Sequence, residues 1–161
     1  MTVSGNHLRR LMRKWATGVT LVTAMDSNGP HGMTVSSFTA ISLEPPLILV
    51  ALERGARTHQ MVEQVGRFAV VILRAEQREL AERFAGGIDD GDSRFEGISY
   101  SLTPGGAPIP PDPLAHFDCQ VVEAHLAGTH TVFLGLVTGG QAARSGSPLL
   151  YYNRDYRDLV E

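Results

Sequence analysis

The chain has 161 residues, 43% of them hydrophobic, which is enough apolar material for one core and predicts a single domain over residues 1–161. Its net charge of −3 argues against a nucleic-acid partner; with no apolar run of roughly 18 residues and no signal-peptide core at the start, no membrane and a cytoplasmic location are expected. The single cysteine, Cys119, excludes an internal disulfide, and its place between Phe117 and Val121 predicts a packed thiol rather than a nucleophile.

In chain order, Asn6 is a candidate cap for a helix with Leu8, Leu11, Met12 and Trp15 at helical spacing, followed by Gly18. That helix holds the main cluster of positive charge, Arg9, Arg10, Arg13 and Lys14. Val19 to Ala24, a turn at Asp26–Pro30 and a second strand from Gly32 to Ile41 read as a hairpin. The second strand carries Thr34, Ser36, Ser37 and Thr39 where a core strand would carry aliphatics. Alternation sends Thr34, Ser36 and Phe38 to one face and Met33, Val35, Ser37 and Thr39 to the other, so neither face is uniformly apolar. Two readings fit: a polar ligand lies against the strand, with Gly32 allowing close approach, or the hydroxyls bond to neighbours and water at a sheet edge.

After Glu44-Pro45-Pro46, the run Leu47–Leu52 predicts a strand covered on both faces at the centre of the sheet. Thr58 is a candidate cap for a helix with Met61, Val62 and Val65, and Phe68 to Leu73 reads as another buried strand. A further helix from Glu76 to Phe84 turns Leu80, Ala81 and Phe84 inward, pairs Glu79 with Arg83, and stops at Gly86 and Gly87. Segments 85–96 and 103–113 read as surface loops. Two long strands, Ala115 to Ala124 and Thr131 to Thr138, precede Pro148–Tyr152 and a polar tail. Many strands, few short helices and no βαβ rhythm favour a mainly β protein built as an antiparallel barrel.

Gly55-Ala56-Arg57-Thr58 follows a strand and opens a helix, so N–H groups, a hydroxyl and a guanidinium converge there in a manner suited to phosphate, although ordinary caps look the same. No Gly-rich nucleotide fingerprint and no Gly-x-Ser-x-Gly elbow is present, and the six histidines lack metal-ligand spacing, so no metal is expected. His130, in a Gly-containing turn before a strand, suits either a cleft or a solvated turn.

Five blocks together resemble the flavin reductase-like family of FMN-binding split barrels, the reductase components of two-component flavin monooxygenases. They are Trp15–Thr23, Gly32–Phe38, Leu43–Leu47, Leu80–Ala85 and Gly128–Gly135, in order along nearly the whole chain, with Pro148–Tyr152 as a similar ending. The resemblance implies a Greek-key-like split β-barrel, a homodimer holding flavin near the subunit interface, and hydride transfer from NADH or NADPH to FMN or FAD. It implies a separate monooxygenase that receives the reduced flavin.

By the family's motif, Gly32, Met33, Thr34, Val35, Ser36 and Ser37 contact the flavin, Ala51 and Leu52 line its ring, and Arg57 and Thr58 hold its phosphate. Phe84, Arg94 and Tyr152 complete the cofactor-binding set, and His130 is the candidate catalytic residue on the nicotinamide side. Two positions depart from the pattern: Ala56 replaces the family's serine in the phosphate loop, and Thr129 replaces the aspartate before the histidine. The alternatives are a pyridoxamine-phosphate-oxidase-like protein, whose motif order fits less well, and a non-enzymatic flavin carrier, electron-transfer protein or sensor on the same barrel.

Overall fold

A computed structural model describes residues 1–86 and 93–160. In chain order the elements are α1 (Gly5–Met12), β1 (Thr17–Gly18), β2 (Thr20–Asp26), β3 (Gly29–Val35), β4 (Phe38–Leu43), β5 (Pro46–Glu53), α2 (Arg57–Val65) and β6 (Arg67–Ile72). They continue with α3 (Arg78–Phe84), β7 (Ser101–Leu102), β8 (Pro108–Ile109), β9 (Ala115–Ala127), β10 (His130–Ala142), β11 (Leu150–Tyr152) and β12 (Asp155–Arg157). Among the described residues no helix is long and apolar enough to cross a membrane.

Seven strands form one antiparallel sheet in the order β3-β2-β6-β9-β10-β5-β4. Laid flat, its edge strands would stand about 29 Å apart at ordinary strand spacing. Yet β3 and β4, the two edges, are joined by Ser36 and Ser37 alone, a link that spans about 10 Å at most. The sheet must therefore roll up until its edges nearly meet, which makes a barrel split between β3 and β4. This is the split-barrel fold expected from the sequence, mainly β with few short helices.

The predicted single strand from Gly32 to Ile41 is thus two strands, broken at Ser36-Ser37 where the barrel turns its corner. Nor is the Leu47–Leu52 run the covered centre of the sheet: β5 lies next to the edge and buries only alternate residues, Ile48, Val50 and Leu52. The doubly covered strands are β2 and β6. Phe68 and Val70 point into the barrel with Val22, Val50, Leu52, Cys119 and Phe133, while Ala69 and Val71 join Leu21, Leu73, Phe84, Phe95 and Leu149 in a second core outside it.

Cys119 is fully buried, and burial pushes its thiol up to about 12, so it is the packed thiol expected. The remaining differences are local. Ser4, not Asn6, caps α1, accepting from His7 N at 3.2 Å. The pair on α3 is Arg78–Glu82 at 2.9 Å rather than Glu79–Arg83, because Arg83 turns to the carbonyls of Arg94 and Glu96. Segment 103–113 is not a surface loop: Thr103, Ala107 and Ile109 are buried, and the Thr23 hydroxyl donates to Pro108 O at 2.7 Å. The tail folds back as β12 on β11. Gly87, expected to stop α3, and residues 87–92 of the expected loop lie outside the described residues.

Candidate functional site

β5 ends at Glu53, and Gly55 and Ala56 turn the chain into α2, whose N-cap is Ala56. An alanine has no side-chain acceptor, so no side chain caps the first turn of α2. The expected cap, Thr58, is fully buried and shares a 2.8 Å hydrogen bond with His31 Nδ1 on β3. Its hydroxyl faces the barrel wall because Thr58 belongs to the buried side of α2 with His59, Met61 and Val62.

In front of this turn lies a cavity of about 320 Å³ that brings together Met33, Thr34, Arg57, Thr58, Phe84 and Arg94 from the predicted set. The Arg94 guanidinium is anchored by donating to Gly32 O at 2.9 Å and Phe84 O at 3.0 Å. Packing by itself favours a glycine at position 32: a Cβ there would stand 3.0 Å from the Phe84 ring and 3.1 Å from Thr23. Thr34 donates to Ala81 O at 2.7 Å, which ties β3 to α3. The unpredicted members of the lining are His31, Glu53, Gly55, Ala56 and Ala85. His31 could have been suspected as a polar residue next to Gly32 in a strand; Glu53 has no motif to mark it.

A smaller cavity of about 150 Å³ continues from Thr34 and Ala85 to Val35, Ser36, Tyr151 and Tyr156. Burial, with the neighbouring Tyr151 second, holds the Tyr156 phenol above its usual range. Tyr151, not Tyr152, faces this cavity; Tyr152 is exposed on β11. Ser37 stands at the barrel corner, donating to Ala51 O at 2.7 Å and accepting from Ala51 N at 3.2 Å. The hydroxyls of Thr34 and Ser37 thus have protein partners, while Ser36 is exposed to the groove. Leu52 is fully buried in the barrel core, so its side chain cannot line a ring; Ala51, half-buried, faces outward.

His130 opens β10 instead of sitting in the turn, and lines neither of these cavities. It is exposed, bonded through Nδ1 to Thr129 Oγ1 at 2.9 Å, and directly across the β5–β10 ladder from Glu53. Among the described residues no group of side chains could hold a metal ion.

The family model for the flavin reductase like domain matches residues 12–160. The chain is 36% identical over 157 residues to the Rhodococcus jostii flavin-dependent monooxygenase reductase subunit HsaB, covering 98% of this chain and 79% of that one. It is 37% identical over 158 residues to the flavin reductase (NADH) of Kitasatospora aureofaciens, covering 96% and 81%. Among solved structures, the Streptomyces globisporus NADH:FAD oxidoreductase SgcE6 superposes with a TM-score of 0.92 at 33% identity, covering 100% and 98% of the two chains. A match that runs through β2, the β3–β4 corner, α2 and β10 identifies the chain as a member of the flavin reductase-like family.

Proposed function

We propose that this chain, as one reductase domain, binds FMN or FAD along the groove, takes hydride from NADH or NADPH, and releases reduced flavin to a separate monooxygenase in the cytoplasm. The observation that carries the reading is the first turn of α2, left without a side-chain cap and facing a cavity with Arg57 and Arg94. Helix N–H groups, the positive end of a helix dipole and two guanidiniums make a phosphate site, and among the described residues Glu53 is the one carboxylate in its lining.

From that anchor, Thr34 and Ser36 line the path toward Tyr151, where a ribityl chain and ring would lie. Bound flavin supplies the hydride acceptor. The protein's part is to hold the ring against the β3–β4 corner, where the Ser37–Ala51 bonds fix the backbone, and to exclude water there. His130, oriented by Thr129 and opposed by Glu53, positions the nicotinamide nucleotide at the rim.

Anaerobic stopped-flow mixing of NADH with the FMN-loaded protein is expected to remove the oxidised-flavin absorbance within the turnover time of ordinary enzymes. FMN that binds but stays oxidised with both NADH and NADPH would replace this reading with a flavin carrier. In the same assay His130→Ala is expected to raise the KM for NADH with FMN affinity unchanged; unchanged constants would remove His130 from the site.

A further inference from the structure

α1 is turned opposite to an ordinary surface helix. At about 100° per residue, Leu8, Leu11 and Met12 share one side and Asn6, Arg9 and Arg10 the other. The arginine side, with Arg13 at the C-cap, lines a cavity of about 720 Å³ against the body of the protein, while Leu8, Leu11 and Met12 are each more than half exposed. Lys14 N and Trp15 N donate to Leu11 O and Met12 O at 3.0 Å, so the chain keeps winding past the helix and ends on Trp15, which is 66% exposed.

None of the eight residues of α1 is buried. A helix shorter than about 12–15 residues is marginal in water by itself, and helices in proteins are stabilised chiefly by packing an apolar side. The apolar side of α1 lacks that cover in the protomer.

The charge around it selects the cover. Arg9, Arg10, Arg13 and Lys14 are four of the 14 basic residues of the chain, and the first acidic residue is Asp26. None of the four forms an ion pair among the described residues, and no carboxylate lines the cavity beside them. The side therefore calls for apolar and anionic groups together. A bilayer of acidic phospholipid supplies both: acyl chains for Leu8, Leu11 and Met12, the headgroup level for the Trp15 indole, and a negative surface potential for the cations. The arginines stand about one helix diameter, 10–12 Å, from the apolar side, comparable with a Debye length of about 8 Å, and their long stems can bend toward headgroups. A helix lying in the interface needs no spanning run, so the absence of one does not count against this mode.

We propose that α1 docks the protein peripherally on an anionic membrane surface, with Leu8, Leu11, Met12 and Trp15 entering the interface and Arg9, Arg10, Arg13 and Lys14 held by acidic headgroups.

Trp15 is the single tryptophan of the chain, so its emission reports on this face alone. Titrating the full chain with vesicles of phosphatidylglycerol and phosphatidylcholine in equal parts is expected to move that emission to shorter wavelength and to sediment the protein with the vesicles. Vesicles of phosphatidylcholine alone are expected to do neither. Leu8→Glu/Leu11→Glu should abolish both effects while keeping the far-ultraviolet spectrum and the rate of flavin reduction, because α1 contributes no buried residue and neither leucine lines the flavin cavity. Arg9→Gln/Lys14→Gln should weaken vesicle binding about tenfold or more. No emission shift with the anionic vesicles, equal binding to the neutral ones, or vesicle binding that survives the leucine variant overturns the assignment. So does a leucine variant whose light-scattering mass falls from two chains to one, which would give this face to a second copy.

Discussion

Arg57 and Thr58 are adjacent at the start of α2 but do different things. Arg57 is half-buried at the cavity wall, whereas Thr58 is enclosed and spends its hydroxyl on His31. Arg57→Ala is therefore expected to weaken FMN about tenfold or more and leave riboflavin nearly unchanged, since a charge-assisted phosphate contact is worth about 1.5–3 kcal/mol. Thr58→Val should instead cost stability, about 1–3 kcal/mol, by stripping His31 Nδ1 of its bonded partner. Parallel FMN and riboflavin titrations with thermal melts check both, and an Arg57→Ala protein that loses both ligands equally would move the phosphate elsewhere. The sequence placed these residues at a helix start, and the family motif placed them at phosphate. It could not show which way Thr58 turns, because that depends on a strand more than twenty residues earlier in the chain. Gly32 depends on a distant partner in the same way: the Phe84 ring that crowds a Cβ there comes from α3.

At the scale of elements, local pattern identified most strands, and what it missed was set by long-range partners. The break at Ser36-Ser37 has no glycine or proline to announce it; it exists because β3 and β4 must pair at opposite edges of one rolled sheet. Segment 103–113 has the composition of a solvent loop, yet it is held inward by Asp118 of β9. The buried Asp118 carboxylate accepts from Thr103 Oγ1 at 2.9 Å and from Gly105 N at 2.8 Å. A Cβ on Gly105 would stand 2.4 Å from that carboxylate, so the loop must approach as bare backbone. Two hydrogen bonds to a buried charge make Asp118→Ala costly, about 2–5 kcal/mol, and the hairpin of exposed β7 with buried β8, which carries this loop, should become sensitive to protease first. Denaturant unfolding and limited proteolysis measure both effects; a variant as stable and as resistant as the wild type would show the loop held by its proline and apolar contacts instead.

On the whole molecule, the outer barrel wall is more apolar than a monomer's surface requires. Directly opposed residues of an antiparallel pair share a face, so Leu47 with Leu136, Leu49 with Leu134, and Ala51 with Val132 form one stripe across β5 and β10. All six are only half-buried, and the alternate residues Ile48, Val50 and Leu52 already fill the core. This alternation is why the continuous apolar run of β5 reads from sequence as a doubly covered strand: the second cover is absent from the protomer. We propose that a second copy of the chain supplies it, giving the homodimer that the family resemblance implies. Ala51 links this face to the flavin site, because it sits on the stripe and bonds Ser37 at the barrel corner. Each leucine withdrawn from water contributes about 1.5–3 kcal/mol, so two glutamates in the stripe should outweigh a modest interface. Leu49→Glu/Leu134→Glu is expected to take the light-scattering mass from about twice the 17.4 kDa of one chain to that of one chain, with an unchanged far-ultraviolet spectrum. FMN affinity should fall with it, since the ring site borders the lost partner. A wild-type protein already at the mass of one chain would overturn the dimer. A double variant that keeps the doubled mass would move the interface to the exposed side of α1, where Leu8 and Leu11 are the next apolar surface without cover in the protomer.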